Sequence, residues 1–411
     1  MNANSVAPSA PPPRPSAPHG WFGWSPYALD AEFRNDPHIT FRRLREQYPV
    51  HGTPLGYYRI LRHADVVRAL RECKVGVRTT DGKLPGVDES VMPRRFMLMQ
   101  DPPNHTRLRR LVSRAFTPPA IERLRPHVQE LVDSMLDVAQ ERGEMDVIAD
   151  LARPLPSTII CEMLGVPLAD RPKFTDWTAH VTHLLTPQVL TPQMRELAGQ
   201  AAIGLTHYMT DLIAERRTRP GDDMMSVLIR AEQDGDKLTP EEVITQCVGL
   251  LVAGFETTIG LIGNGVRQLL LHPDELRRLQ QDPGLIVSAV EECLRFDGPI
   301  PATRRVLHED AEFGGYLIPK NTELLLCIAS AHRDEAVYPD PDRFDITREQ
   351  MSNLAFGGGI HFCLGAHLAR LEAQIAIGKL VQRFPKLELA SAAPAWGPSL
   401  FRVLASLPVR I

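Results

Sequence analysis

Cys363 has the sequence surroundings of a metal-binding thiolate. It ends the glycine-rich run FGGGIHFC (residues 356–363) and precedes an amphipathic helical stretch that continues towards Phe384. A cysteine must lose its proton to bind a metal, and free backbone N–H groups at a helix start are expected to lower its pKa. Three consecutive glycines let the backbone turn tightly and pass close to a broad, flat ligand. The run therefore predicts a loop that presents one thiolate to the metal of a large cofactor.

Two other interpretations of Cys363 are open. A lone cysteine before a helix is often a buried core residue, and the glycines would then only form a flexible loop. Alternatively, His361, Cys363 and His367 offer three donors to a zinc ion within seven residues. Structural zinc sites usually have four ligands, often from Cys-x-x-Cys pairs, and the six cysteines of the chain include no such pair. Zinc is therefore the weaker interpretation.

The same run resembles the haem-binding loop of cytochrome P450 enzymes, Phe-x-x-Gly-x-x-x-Cys-x-Gly. Phe356, Gly359, Cys363 and Gly365 match this motif without a gap, and His361 lies between them. The resemblance implies a haem b (iron protoporphyrin IX) whose iron is bound axially by the Cys363 thiolate, which favours O–O cleavage. It also implies a mainly α fold, the cytochrome P450 fold, in which a large helical domain with small peripheral β-sheets encloses the haem.

A long buried helix is predicted from Thr239 to about His272. Thr239 is a suitable N-cap, Pro240 fits the first helical position, and Glu242 completes a capping box. Residues 247–255 are apolar on every side, which indicates burial in a large core. Polar residues interrupt this run too soon for a membrane span of roughly 20 apolar residues.

Within this helix, Glu256 and Thr257 follow the small residues Ala253 and Gly254. A buried carboxylate is unfavourable unless it has a function, and the small pair would let a flat ligand and dioxygen approach the backbone. The structural alternative is that Thr257 bonds to a carbonyl one turn earlier and that Glu256 pairs with a base. The resemblance implies that Ala253 contacts the haem, that Thr257 stabilises dioxygen and a hydrogen-bonded water, and that Glu256 gates proton entry.

A haem carries two propionates, so an apolar pocket must add cationic or hydrogen-bonding groups at its rim. Residues 101–109 match the family motif Asp-Pro-Pro-x-His-x-x-x-Arg, which implies that His105 and Arg109 bind propionate from one helix. Arg305 is the third candidate by family position. Arg304 would point the other way if this segment is extended.

Glu292 and Arg295 are three residues apart on a predicted helix, so their side chains can meet. Such pairs are usually solvated, but this one resembles the family's Glu-x-x-Arg motif, for which Arg343 is the expected third member. The resemblance implies a buried triad that serves folding and haem retention. Asn353 departs from the family, because many bacterial relatives have His there, and a propionate contact by Asn353 is left open.

Length and composition agree with one large domain. The chain has 411 residues, of which 43% are apolar and 23% charged, enough to build a substantial core. Helical patterns dominate. Short strands are predicted at residues 56–61 and in a hairpin built on Gly314 and Gly315, with a second arm near residues 323–327.

The N-terminal segment is predicted to lie outside the folded domain. Residues 7–19 contain six prolines and almost no apolar residues, so residues 1–20 are expected to be a disordered tail. Residues 21–411 are then a single haem domain, expected to be a monomer. The tail has no hydrophobic run typical of a signal peptide or membrane anchor, and the scattered cysteines suit a reducing compartment. A cytoplasmic enzyme without membrane contact is expected.

Electrons are expected from separate proteins, because the sequence contains no recognisable flavin- or iron–sulfur-binding extension. The resemblance implies a ferredoxin or flavodoxin and its NAD(P)H-dependent reductase. Arg107, Arg109, Arg110 and Arg114 predict a basic patch that would steer an acidic donor, although an ordinary solvated helix face explains Arg107, Arg110 and Arg114 equally well. The net charge of −4 argues against a nucleic acid partner.

The resemblance assigns the substrate pocket to five segments, namely residues 84–99, 177–194, 251–252, 300–303 and 400–401. Arg304 is the one arginine in the parts expected nearest the haem, which favours an apolar small molecule such as a fatty acid, terpenoid, polyketide or drug-like compound. Hydroxylation or epoxidation by a monooxygenase is the leading interpretation. A peroxide-driven peroxygenase and a haem sensor are the alternatives, and the Glu256–Thr257 pair argues against both.

Overall fold

The computed structural model of the protein describes residues 33, 35–53, 56–85, 95–182, 191–221, 223–233, 238–349, 352–391, 395–397 and 401–411. The predicted tail, residues 1–20, lies outside this part of the chain. So do residues 86–94, 183–190 and 400, which belong to the segments expected to line the substrate pocket.

Helices dominate the described part of the chain, as predicted. They are α1 (Pro37–Gln47), α2 (His63–Arg71), α3 (Asn104–Val112), α4 (Pro118–Glu122), α5 (Arg125–Arg142), α6 (Pro154–Met163), α7 (Arg171–Thr182), α8 (Pro192–Thr218), α9 (Met224–Gln233), α10 (Pro240–Leu271), α11 (Pro273–Gln281), α12 (Ile286–Asp297), α13 (Ile328–Ala331) and α14 (Ala366–Arg383).

The strands are short and form small sheets at the side of the helical core. They are β1 (Val50–Gly52), β2 (Tyr58–Ile60), β3 (Val75–Gly76), β4 (Glu144–Asp146), β5 (Thr303–Leu307), β6 (Ala311–Phe313), β7 (Tyr316–Ile318), β8 (Glu323–Leu326), β9 (Glu388–Leu389), β10 (Ala395–Trp396), β11 (Leu404–Ser406) and β12 (Pro408–Arg410). The largest sheet has the order β1-β2-β8-β5-β3, in which only β2 and β8 are parallel.

The predicted hairpin at Gly314 and Gly315 is present, but its second arm is not the predicted one. The two glycines have φ of 57° and 82°, which suits a two-residue turn, and they join β6 to β7. Strand β8, assigned from sequence to this hairpin, instead pairs with β2 and β5. The error arose because β7 is only three residues long and carries little periodic signal.

Helix α10 crosses the core, and its predicted start is confirmed. The side chain of Thr239 accepts from the backbone N–H of Glu242, whose carboxylate accepts from the Thr239 N–H in return. The helix ends at Leu271, and it packs against α6, α8, α12 and α14. It is the one described helix long and apolar enough to cross a membrane, but 67% of its apolar window is buried inside the protein. That burial identifies α10 as a core helix.

Candidate active site

The glycine-rich run forms a tight loop immediately before α14. Gly357 and Gly359 have φ of 71° and 65°, which side-chain-bearing residues rarely adopt. A Cβ atom at Gly359 would lie 2.4 Å from the carbonyl oxygen of Leu70, so this glycine is required for the close approach to α2. The backbone N–H of Cys363 donates to the Phe356 carbonyl at 2.9 Å and closes the loop. Gly365 then caps α14, which begins at Ala366.

Cys363 is the one exposed cysteine of the six; four others are buried and Cys73 is half-buried. Its thiol is nevertheless surrounded by protein, and this desolvation raises its pKa, against the opposing effects of the Gly365 N–H, Arg109 and Arg370. The predicted lowering of the pKa is therefore wrong for the protein alone. A thiol that is enclosed by protein but still accessible lines an internal cavity. A bound metal would replace its proton there.

Four cationic or potentially cationic side chains converge beside this loop, as the family motifs implied. His105, His361 and Arg305 are buried, with exposed fractions of 2%, 9% and 5%. The imidazole rings of His105 and His361 lie 4.2 Å apart between centroids. Arg109 completes the group, and its guanidinium donates to the Phe362 carbonyl at 2.6 Å.

This cationic cluster (His105, Arg109, Arg305 and His361) has little negative charge opposite it. Asp101 Oδ1 lies 3.8 Å from His361 Nε2, beyond hydrogen-bond distance, and its carboxylate accepts the N–H groups of Val77 and Arg78. Burial lowers the pKa of His105 to about 4, with His361 and Arg109 adding to the effect. Burial also lowers the pKa of Arg305 to about 10.

Two ring nitrogens of the cluster are buried without a hydrogen-bond partner among the described residues, His105 Nδ1 and His361 Nε2. Buried polar atoms are normally paired, so such orphans indicate that a group outside the chain completes the site. Orphaned nitrogens beside the guanidinium groups of the buried Arg305 and the half-buried Arg109 fit an anionic oxygen ligand. The carboxylates of a haem meet this requirement, and the accessible Cys363 thiol nearby fits its iron.

The middle of α10 shows a break in burial. Cys247 to Leu251 and Phe255 are buried, whereas Ala253 is exposed and Val252, Gly254, Glu256 and Thr257 are half-buried. Ala253 and Thr257 are one turn apart on the same helix face. Exposure in the centre of a core helix means that this face borders a cavity. The hydroxyl of Thr257 donates to the Ala253 carbonyl at 3.2 Å, which is the bond that the structural alternative predicted.

The Glu292–Arg295 pair is fully buried, and the prediction of a structural cluster is confirmed for these two residues. Arg295 Nε and Nη2 donate to the two carboxylate oxygens at 2.6 and 2.8 Å, and neither side chain is exposed. Further Arg295 donors reach the carbonyls of His332 and Pro341, each at 2.9 Å. The backbone N–H of Asp345 also donates to Glu292.

The prediction that Arg343 is the third member of this cluster is wrong. The Arg343 side chain is 58% exposed, and only its carbonyl reaches the cluster, where it accepts from Arg295. Arg348 takes its place: the side chain is 11% exposed, and its Nε lies 3.5 Å from Glu292 Oε2. A turn after residue 341 directs the Arg343 side chain to solvent, and sequence spacing alone did not reveal it.

Arg304 and Asn353 are both engaged within the protein. Arg304 pairs with Glu323 and donates to the Pro85 carbonyl at 2.6 Å, so it points away from Arg305 as predicted. The Asn353 amide donates to Glu291, to both its carbonyl and its carboxylate, at 3.1 Å each. The Asn353 amide therefore has an internal hydrogen-bond partner in Glu291.

The predicted arginine patch divides into separate parts. Arg107 pairs with Glu242 on α10, and Arg109 turns inward to the glycine-rich loop. Arg110 and Arg114 are exposed. A continuous patch of four charges is therefore not formed.

Comparison with known proteins identifies the family. The cytochrome P450 family model matches residues 12–391. Cytochrome P450 107B1 of Saccharopolyspora erythraea is 41% identical to this chain, over 93% of this chain and 97% of its own length. The P450 monooxygenase PikC of Streptomyces venezuelae is also 41% identical, over 93% of both chains. The crystal structure of P450BioI with a hexadecenoic acid-ligated acyl carrier protein matches with a TM-score of 0.86 and 37% identity, over 93% of this chain and 99% of that one.

The chain belongs to the cytochrome P450 family, and it is a P450 monooxygenase. The predicted mainly α fold with small sheets is confirmed, as is the oxidoreductase class. The family uses a haem bound through a thiolate, acts on organic substrates and takes its electrons from redox partners.

Proposed function

We propose that this protein inserts one oxygen atom from dioxygen into an apolar organic substrate, by hydroxylation or epoxidation, and that Cys363 would bind the iron of a haem b. The observation that carries this assignment is the accessible Cys363 thiol next to a buried cationic cluster with two orphaned nitrogens. When bound, the haem supplies activation of dioxygen by a metal with a thiolate ligand. The residues of the chain would position the haem and the substrate, shield the site from water and deliver protons to it.

The residues of the cluster would hold the two propionates. Arg305 and Arg109 provide the permanent charges, and His105 and His361 provide hydrogen-bond donors from buried rings. Phe356, Gly359 and Gly365 shape the loop on the thiolate side. On the α10 side, the small side chain of the exposed Ala253 leaves room for the haem.

Thr257 and Glu256 would control protons on the α10 side. The Thr257 hydroxyl donates to the Ala253 carbonyl, so its oxygen is left as an acceptor towards the cavity. A water held there could receive a proton by way of the half-buried Glu256 carboxylate. This role predicts that Thr257→Ala increases the NAD(P)H consumed per product formed, whereas Thr257→Ser stays close to wild type. Unchanged coupling in Thr257→Ala with an identified substrate would exclude the role.

An apolar substrate is supported by the environment of Arg304. This arginine is the candidate that could have bound a substrate carboxylate, and it is instead held by Glu323 and the Pro85 carbonyl. Relatives carry names that indicate large apolar substrates, among them 6-deoxyerythronolide B hydroxylase and a vitamin D(3) 25-hydroxylase. Among the classes predicted from sequence, we favour a polyketide or terpenoid of similar size.

A ferredoxin or flavodoxin with its NAD(P)H-dependent reductase would supply the electrons in the cytoplasm. Arg110 and Arg114, on and just after α3 and close to the loop that Arg109 contacts, are exposed to solvent, where an acidic donor would approach them. Charge steering of this kind weakens with ionic strength, so electron transfer should slow as salt is added.

The deciding experiment is the absorption spectrum of the dithionite-reduced protein under carbon monoxide. A strongly red-shifted Soret band is expected for the wild type and for Cys73→Ser, a matched cysteine control, and the band should be absent in Cys363→Ser. A band at the position of histidine-ligated haem, or no haem at all, would overturn the assignment. Peroxide-driven turnover without an electron donor would favour the peroxygenase alternative.

A further inference from the structure

Asn353, Glu291 and Arg370 form one hydrogen-bonded cluster beside the glycine-rich loop, which we call the Glu291 unit. Both Asn353 donors reach Glu291, as described above, and Asn353 Oδ1 accepts from the N–H of Ala355 at 3.0 Å. Arg370, on α14, makes a two-pronged ion pair with the same carboxylate, with Nη2 3.1 Å from Oε2. The unit thus joins α12, α14 and the start of the loop.

The Glu291 unit is connected to Cys363 through one residue, Phe356. The Arg370 guanidinium lies over the ring of Phe356, with Cζ 4.3 Å from the centroid. Phe356 in turn accepts the backbone N–H of Cys363 through its carbonyl at 2.9 Å. A cation stacked on this ring is therefore held close to the thiolate.

The charges of the unit balance. Arg370 carries one positive charge, Glu291 one negative charge, and Asn353 is neutral. The side chains of Arg370 and Glu291 are 27% and 21% exposed, so solvent screens their fields only in part. Removing the Glu291 charge would leave the Arg370 cation uncompensated beside the loop.

We propose that the Glu291 unit sets the reduction potential of the haem at Cys363, with Glu291 cancelling the field of Arg370; this inference rests on the proposed function. One-electron reduction of the ferric centre by the donor protein forms and breaks no bond, and it lowers the charge at the haem by one unit. An uncompensated cation nearby favours the reduced state. The compensated unit holds the potential lower than Arg370 alone would.

The test is spectroelectrochemical titration of the haem-loaded protein with Glu291→Gln. The midpoint potential should shift upward. Asp133→Asn is the matched control, because it leaves Lys379 uncompensated on the same helix but away from the loop. Its shift should be several times smaller. The double variant Glu291→Gln/Arg370→Gln restores neutrality and should return the potential towards the wild-type value.

Arg370→Gln removes the cation, leaves the Glu291 charge uncompensated and should shift the potential downward, so the proposal can be tested even if Glu291→Gln does not fold. Equal shifts in Glu291→Gln and Asp133→Asn, or a double variant further from wild type than the single one, would overturn it. The carbon monoxide spectrum separates this result from the proposed function. A red-shifted Soret band with no change in potential rejects the Glu291 unit alone, whereas its absence in the wild type rejects both.

Discussion

Two buried polar clusters in this protein are built in opposite ways. Around Glu292 and Arg295, charges are matched and the carboxylate and guanidinium have partners within the chain. In the cationic cluster, three of the four groups are buried, and two ring nitrogens have no hydrogen-bond partner among the described residues. The Asp101 carboxylate lies 3.8 Å from His361 Nε2, beyond hydrogen-bond distance. The Glu292–Arg295 pair is therefore satisfied without a ligand, although Arg348 Nε beside it has no hydrogen-bond partner among the described residues.

This difference indicates which cluster serves the fold and which serves binding. A buried polar group without a partner destabilises the folded protein, whereas a satisfied network fixes one arrangement of the chain. The cationic cluster is therefore a site whose stabilisation depends on what binds it. Substitutions in the two clusters should have separable effects on folding and on haem retention.

The largest effect is expected from Glu292→Ala. It leaves the fully buried Arg295 guanidinium without its carboxylate, which should lower the free energy of unfolding by roughly 3–5 kcal/mol in denaturant titrations. Arg343→Ala is the control, because that side chain is exposed, and its effect should stay within about 0.5 kcal/mol. Similar losses for both variants would contradict the placement of Arg343 outside the cluster.

Arg305→Leu should act on haem retention. Loss of a charged hydrogen bond of roughly 1.5–3 kcal/mol should speed haem dissociation by about 10- to 150-fold, as measured by transfer to a haem-scavenging protein. The haem-free protein should unfold at the same or a higher denaturant concentration, because a buried cation has been removed. The neighbouring Arg304→Leu should leave haem dissociation near the wild-type rate. Destabilisation of the haem-free protein by Arg305→Leu would show that Arg305 is structural.

Mild acidification should weaken the fold by a smaller amount through His332, whose carbonyl accepts from Arg295. Its Nε2 accepts from the Leu354 N–H at 2.8 Å, and burial lowers its pKa from 6.5 to about 3, with Arg295 adding to the effect. Between these pH values the unfolded chain binds a proton at His332 and the folded protein does not. The free energy of unfolding therefore falls as the pH drops from 6.5 towards 3. The slope of unfolding free energy against pH should be shallower in His332→Gln. An unchanged slope would assign the acid sensitivity to other groups.

The chain sequence by itself determined the family and most of the local structure. The loop motif around Cys363, the capping box at Thr239 and the Glu292–Arg295 spacing each act over a few residues, where backbone geometry follows directly from residue type. Their positions were therefore predicted correctly. The family motifs also indicated His105, Arg109 and Arg305, which the structure brings together beside the loop.

Only the tertiary structure decided which distant side chains meet. Arg348 in place of Arg343, Asp101 as the nearby carboxylate, and the Asn353–Glu291–Arg370 contacts join segments far apart in sequence. The pKa of Cys363 is likewise set by desolvation, which depends on everything packed around it. Short-range patterns carry no information on such contacts, because burial and partner choice arise only when the elements pack.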